Sequence, residues 1–146
     1  MSSVAPTAPR IAATPTYHPI VTLIGRLLMA ALFIIFGIRK VLAFSFYAGY
    51  FAKLGMPAPE AMVVLAIIIE IGAGLLFAIG WKTRWMAWAL AAFVIVATFT
   101  AHRYWQFGDA QQYAAQMINF WKNITIIGGL MMVACFGPGP ISVDKS

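Results

Sequence analysis

The chain has 146 residues, of which 62% are hydrophobic and 10% charged, against roughly 45–50% and about 25% in an ordinary soluble domain. Ten Lys and Arg with four Asp and Glu, a formal net charge of +6, cannot clothe the outside of a water-soluble 15.9 kDa particle, because a domain of that size cannot hide so much Leu, Ile, Val and Phe. A soluble globular enzyme is excluded, and the solitary Cys135 and the two histidines, His18 and His102, provide no intrachain disulfide, no iron–sulfur ligand set and no evident zinc or bis-His haem site.

Residues 1–18, MSSVAPTAPRIAATPTYH, hold three prolines and no apolar run, a composition that cannot offset the entropy of ordering. They read as a flexible tail ahead of a membrane domain over 19–146. A cleaved signal peptide competes for this end, since LLMAALFIIFGI is short and Arg26 could close a basic n-region. The preceding PIVTLIG lengthens the apolar stretch, however, and no small-residue cleavage site follows before Arg39-Lys40.

A spanning helix needs about 20 mostly apolar residues to cross ~30 Å of hydrocarbon. Segments 19–42, 59–80, 85–104 and 117–136 qualify. They stop at Arg39-Lys40, Gly80-Trp81-Lys82, His102-Arg103 and Gly137-Pro138-Gly139-Pro140, the breakers and interfacial cations expected of membrane helix ends. The fold class is therefore all-α, a four-helix transmembrane bundle with both termini on one side, and no 20–50-residue repeat is visible. Between the first two spans, residues 43–58 crowd Phe44, Phe46, Tyr47, Tyr50 and Phe51 around Lys53. Such a segment lies half-buried in the headgroup layer or folds back on the bundle, or serves only as an aromatic belt. Asp109 with Gln112 three residues on forms a capping-box-like start for the last helix. From there to Phe136 a helix is ~40 Å long at 1.5 Å per residue, about two turns more than the bilayer requires.

Orientation depends on Lys and Arg in the short loops. Arg10, Lys82, Arg84 and Lys145 lie on the side of the termini, and Arg39, Lys40, Lys53, Arg103 and Lys122 on the other, a near tie. Both termini are expected in the cytoplasm because an unstructured tail and a tight Lys82–Arg84 turn need no translocated folding. The positive charge is interfacial, and nothing supports nucleic-acid binding.

Two charges stand inside spans, Arg26 in the first and Glu70 in the second. Such residues are costly in lipid, point into the bundle and pair. Counted from the facing helix ends at Leu42 and Pro59, the two differ in depth by ~7 Å at 1.5 Å per residue, within side-chain reach. Ala30, Phe33, Gly37 and Lys40 share the face of Arg26, and Ala66, Ala73 and Gly74 that of Glu70; small residues there allow close approach. The spacing predicts an Arg26–Glu70 ion pair joining the first two spans, with Lys40 lower on the same face. That pair either fixes helix register or supplies a buried acid that holds a ligand's polar head or carries a proton. A second polar line, Gln112, Gln116, Asn119 and Asn123, follows steps of four, three and four along one helix face. Thr98 and His102 share a face at the same end of the third span. Lys40, Glu70, His102, Gln116, Asn119 and Asn123, with apolar walls and nearby aromatic residues, make a candidate site for an amphipathic ligand, although a lone interfacial histidine is commonly only an anchor.

LIGRLLMAALFIIFGIRKVLAF, LGMPAPE, EIGAGLLFAIGWKTR and KNITIIGGLMMVACFGPGPISVD, in that order over residues 20–144, resemble the DoxX family of small bacterial membrane proteins. The positions carrying the likeness are Arg26, Gly37, Lys40, Glu70, Arg84, Gly137, Gly139, Ser142 and Asp144. The resemblance implies an inner-membrane location and links to quinone-dependent oxidoreductases, oxidative-stress complexes and catechol or quinone detoxification. The resulting expectation is a quinone-linked redox subunit or accessory protein with no covalently bound cofactor, taking its electrons through a bound quinone or through a membrane or peripheral redox partner protein. The alternative is a noncatalytic scaffold that docks a partner subunit. A homo-oligomer fits either, and a small-solute transporter fits less well, since four helices alone rarely enclose a path.

Overall fold

The computed structural model describes residues 18–144; the tail expected over 1–18 lies outside them apart from His18. Five helices follow one another: α1 (Pro19–Leu42), α2 (Phe44–Lys53), α3 (Pro59–Ile79), α4 (Thr83–Ala101) and α5 (Ala110–Phe136). Four of them are long and apolar enough to cross a membrane, α4 together with the 3₁₀ turn Tyr104–Gln106. Outward-facing Leu28, Leu42, Ile68 and Ile118 are more than half exposed, as a surface solvated by acyl chains requires.

The local sequence explains the boundaries. Pro19 and Pro59 sit in the first turns of α1 and α3, where the missing N–H costs nothing. Arg39 and Lys40 occupy the last turn of α1, favourably placed against the negative end of the helix dipole. Asp109 caps α5 as its position predicts, its carboxylate accepting from the Gln112 N–H at 2.8 Å, and α5 runs the full 27 residues to Phe136. The aromatic connection between the first two spans is a helix, α2, that folds back onto α3. One feature was not visible in the pattern: α3 is not uniformly α-helical but passes through a π-helical stretch over Ile68–Ala73, which contains Glu70.

Helix α1 packs on α3, α3 on α4, and α4 on α5, the last being the most extensive of these contacts. The common core lies in the half of the bundle nearer the termini. Ala30 and Phe33 of α1 meet Phe77 of α3, Ala87, Leu90 and Ala91 of α4, and Leu130 and Ala134 of α5 there. Helix α4 packs against α3 through the π-helical stretch and the turns after it, whereas the first half of α3 leans instead on α2 and α1. The bundle therefore splits above the π-helical stretch, and that split positions the site.

Candidate ligand site in the open half of the bundle

Close approach of α1 and α3 fixes the level of each charge. A Cβ added to Gly37 would stand 3.1 Å from the Glu70 Cβ, and one added to Gly74 would stand 3.4 Å from the Phe33 Cβ, so Gly37 faces Glu70 and Gly74 faces Phe33. One turn beyond Gly37, the Lys40 ammonium donates to both carboxylate oxygens of Glu70 at 2.8 Å. The side chains are 9% and 6% exposed, so this is a buried ion pair. The Tyr47 and Phe36 rings lie 5.2 and 5.9 Å from the Lys40 Nζ, giving the cation aromatic faces as well as a counter-charge.

The expected Arg26–Glu70 pair does not form. The depth count assumed that α1 ends level with the start of α3, but Gly37 is five residues from Leu42 while Glu70 is 11 from Pro59. Helix α3 thus overshoots α1 by about six residues, ~9 Å at 1.5 Å per residue. That offset carries Glu70 to Lys40 and leaves Arg26 beside the other end of α3.

Arg26 instead closes a clasp at the terminal side. Its guanidinium is buried and donates to three main-chain carbonyls: Ala78 through Nε at 3.1 Å, Pro138 through Nη1 at 2.5 Å and Ile141 through Nη2 at 2.6 Å. The last two belong to the segment 137–144, whose Gly and Pro residues read locally as a helix stop. That segment returns across the α3–α4 turn. Val143 and Asp144 donate their N–H groups to the Ile79 and Gly80 carbonyls at 3.1 and 2.7 Å. The Asp144 carboxylate accepts from the Lys82 and Thr83 N–H groups at 2.8 and 2.7 Å and from the Thr83 hydroxyl at 2.9 Å. The unpaired carbonyls ending one helix and the unpaired N–H groups starting the next are thereby satisfied together. Partial desolvation would raise the Asp144 pKa, but the donors from Thr83 and Lys82 and the charge of Arg26 outweigh it and hold the carboxyl below its usual range. Gly139 turns with φ +82°, and its Cα hydrogen faces the Thr22 hydroxyl where a Cβ would collide. Beside that segment, Arg84 of α4 ties the end of α5 in place by donating to the Cys135 carbonyl at 3.0 Å.

In the open half, the split between α1, α2 and α3 on one side and α4 and α5 on the other encloses a cavity of about 590 Å³, within the 300–1,000 Å³ range of small-molecule sites. Lys40 and Glu70 line one wall with Tyr47, Tyr50 and Phe51, while His102, Asn119, Lys122 and Asn123 line the other. Burial pushes the Tyr50 phenol up, so it stays a neutral donor. His102 Nδ1 lies 2.7 Å from the Gln116 amide oxygen. That pairing places the hydrogen on Nδ1 and leaves Nε2 as an acceptor when the ring is neutral. Leu65 of α3 and Val96 of α4 are about half exposed on the lips of the cavity, so one opening faces the hydrocarbon.

The amide line divides by depth. Asn123 and Asn119 reach the cavity, Gln116 acts through His102, Asn119 also accepts from Lys122 at 3.0 Å, and Gln112 is exposed beyond the site. Thr98 is buried but spends its hydroxyl on the Val94 carbonyl of its own helix at 2.6 Å, and it does not line the cavity. The turn after α4 is fixed by packed rings, with Tyr104 lying 5.2 Å from Trp105, 5.3 Å from Tyr113 and 5.4 Å from Phe120.

With four apolar spans and these two polar centres in place, the DoxX family profile matches residues 21–103. The chain belongs to the DoxX family. It is 37% identical to the inner membrane protein YphA of Escherichia coli over 88% of its length and 91% of that protein. It is 33% identical to the inner membrane protein YqjF of the same organism over 84% of its length and 88% of that protein. A more distant similarity, 31% over 83% of this chain and 32% of the other, extends to the ER-derived vesicles protein ERV29 of Saccharomyces cerevisiae. No solved structure gives a significant match. This DoxX protein is a multi-pass inner membrane protein.

In this DoxX chain the family-like positions fall into two groups. Gly37, Lys40 and Glu70 build the α1–α3 contact and its ion pair, while Arg26, Arg84, Gly137, Gly139, Ser142 and Asp144 belong to the clasp. Tyr47, Tyr50 and Lys122 line the cavity without having been singled out as ligand residues. Their signal lay in the aromatic segment 43–58 and in Lys122 beside Asn123.

Proposed function

We propose that the open-half cavity binds the head group of a membrane quinone, and that the protein serves a redox complex of the inner membrane as its quinone-handling subunit. The observation that carries this reading is a buried Lys40–Glu70 pair in an apolar, lipid-level cavity, faced from the opposite wall by His102 and Asn123. A quinone ring carries polar oxygens on an otherwise flat apolar body, and these walls offer donors and acceptors at two sides with aromatic and aliphatic surface between. The Lys40 ammonium supplies a charged donor to an oxygen on its side, and Glu70 is the group able to take or return a proton there. His102 Nε2 and the Asn123 amide bind the oxygen on the other side, with Gln116 holding the imidazole in the required tautomer. The quinone, when bound, supplies the two-electron chemistry, and the single Cys135 leaves electron delivery to a partner protein.

Lipid extraction of the full chain purified in mild detergent tests the proposal. Near-stoichiometric quinone, lost from the folded fraction of Glu70→Gln, is the expected result; wild-type protein free of quinone at every stage of purification overturns it. Support for the scaffold alternative comes from the protruding start of α5, where Gln111, Gln112 and Tyr113 are exposed. A quinone-free chain that retains a second subunit through those residues selects that alternative.

A further inference from the structure

We infer that Lys40 is a carbonyl-trapping lysine, condensing with amphipathic aldehydes that enter the cavity from the membrane. The inference uses the cavity assigned to quinone but does not depend on quinone binding.

Three observations carry it. First, Lys40 is the buried lysine of the described chain, while Lys53, Lys82 and Lys122 are exposed. Second, its amine lines the cavity beside Phe36, Tyr47 and Met62, and the lips at Leu65 and Val96 open at hydrocarbon level, so an apolar aldehyde can reach it without crossing water. Third, a carboxylate sits within 2.8 Å of the amine. Lysine desolvated in an apolar pocket is the usual Schiff-base nucleophile, and a carboxylate at that distance serves as both base and acid.

The chemistry balances within the pair. Glu70 takes one proton from the Lys40 ammonium, the amine nitrogen bonds to the carbonyl carbon, and the carbonyl oxygen receives that proton. Glu70 then takes a second nitrogen proton and delivers it to the same oxygen. The carbon–oxygen bond breaks, water leaves, and a carbon–nitrogen double bond forms. The product is a protonated imine with one remaining N–H beside the restored Glu70 carboxylate, so the charge pair survives the reaction. No oxidant or reductant is consumed. The Tyr47 ring, 5.2 Å from the nitrogen, faces a cation before and after.

The test treats the full chain in mild detergent with hexadecanal, then traps imines with sodium cyanoborohydride and maps modified lysines by peptide mass spectrometry. Lys40 is expected to be modified about 100-fold faster than Lys53 or Lys82, which lie outside the cavity, the low end of general acid–base assistance. Lys40→Arg, which keeps the charge and the Glu70 partner, removes that fast site while leaving the slow surface labelling unchanged. Wild-type labelling in which Lys40 is no faster than the exposed lysines overturns the inference without recourse to any variant. Butanal separates cavity entry from amine reactivity: a smaller preference for Lys40 with the short aldehyde is expected, and an equal preference refutes entry through the lipid-level opening. Quinone retention is a separate readout, so failure of either proposal is visible without the other.

Discussion

Removing the charge of Glu70 tests which cation it serves. At 2.8 Å and an effective dielectric of about 20, the Lys40–Glu70 attraction is about 6 kcal/mol before desolvation is subtracted. Glu70→Gln leaves a buried ammonium without a counter-charge, and breaking a buried pair in this way costs about 3–5 kcal/mol. Lys40→Met on its own strands the carboxylate at a similar cost. The double variant buries no charge and should return to within about 1–2 kcal/mol of wild type, because apolar replacement of a buried pair is often close to neutral. The coupling between positions 40 and 70 is then about 6 kcal/mol, whereas Arg26→Met and Glu70→Gln should add within about 0.5 kcal/mol, since Arg26 bonds Ala78, about eight residues or ~12 Å along α3 from Glu70. Reversible unfolding in mixed micelles titrated with SDS, followed by fluorescence of the five tryptophans, measures both cycles. Strong coupling between 26 and 70, or additivity between 40 and 70, would refute the assignment.

Arg26→Gln should release the segment 137–144 from Pro138 and Ile141; with charged hydrogen bonds worth about 1.5–3 kcal/mol each and some replacement by water, a loss of about 4 kcal/mol is expected, seen as earlier unfolding and new proteolysis near Ile141. Asp144 is held below the usual carboxyl range, so its ionised form contributes stability above about pH 4, where the unfolded carboxyl is also charged, and that contribution fades as pH falls through the lowered folded value; the clasp should loosen in acid, and Asp144→Asn should be less stable at neutral pH and lack that acid step. In Gly37→Ala the new Cβ would meet Ile71 Cγ1 at 2.6 Å and Glu70 Cβ at 3.1 Å, so α1 and α3 separate at a cost of about 1–3 kcal/mol, measured in the same titration. Ala97→Phe intrudes on the cavity and should lower quinone retention at least about tenfold, or about 1.4 kcal/mol, with little effect on the core around Leu90 and Leu130; unchanged retention would place the ligand elsewhere.

The spans were legible because four runs of Leu, Ile, Val and Phe leave no soluble alternative, and the cap at Asp109 because an acceptor side chain three residues before Gln112 has a local meaning. The burial of Arg26, Gly37 and Lys40 on one face of α1 followed from helical spacing. What spacing does not carry is axial offset between helices. The fold-back of α2 lets α3 start beyond the end of α1, and that displacement reassigned Glu70 from Arg26 to Lys40. Gly37 and Gly74 sit where α1 and α3 approach most closely, but Gly25, Gly72 and Gly128 face open space, so the glycines alone did not mark that level. The π-helical stretch left no trace in the sequence pattern, because one extra residue in a turn changes neither hydropathy nor length. The clasp was hidden for another reason: Gly137, Pro138, Gly139 and Pro140 read locally as a helix stop, while their partners Thr22 and Arg26 lie at the far end of the chain.

That separation bears on how the molecule is made. Arg26 and Pro138 are 112 residues apart, and at about 5–20 residues per second the ribosome needs roughly 6–20 s to produce the second after the first. During that interval the first span sits in the bilayer with a cation two of whose three lasting acceptors, the Pro138 and Ile141 carbonyls, have not been synthesised, and lipid phosphate or interfacial water must help the Ala78 carbonyl to solvate it. The segment 137–144, made after the four described spans, fastens α1 to the turn between α3 and α4, so a ribosome stalling after α5 leaves those four crossings in place but the bundle unlocked.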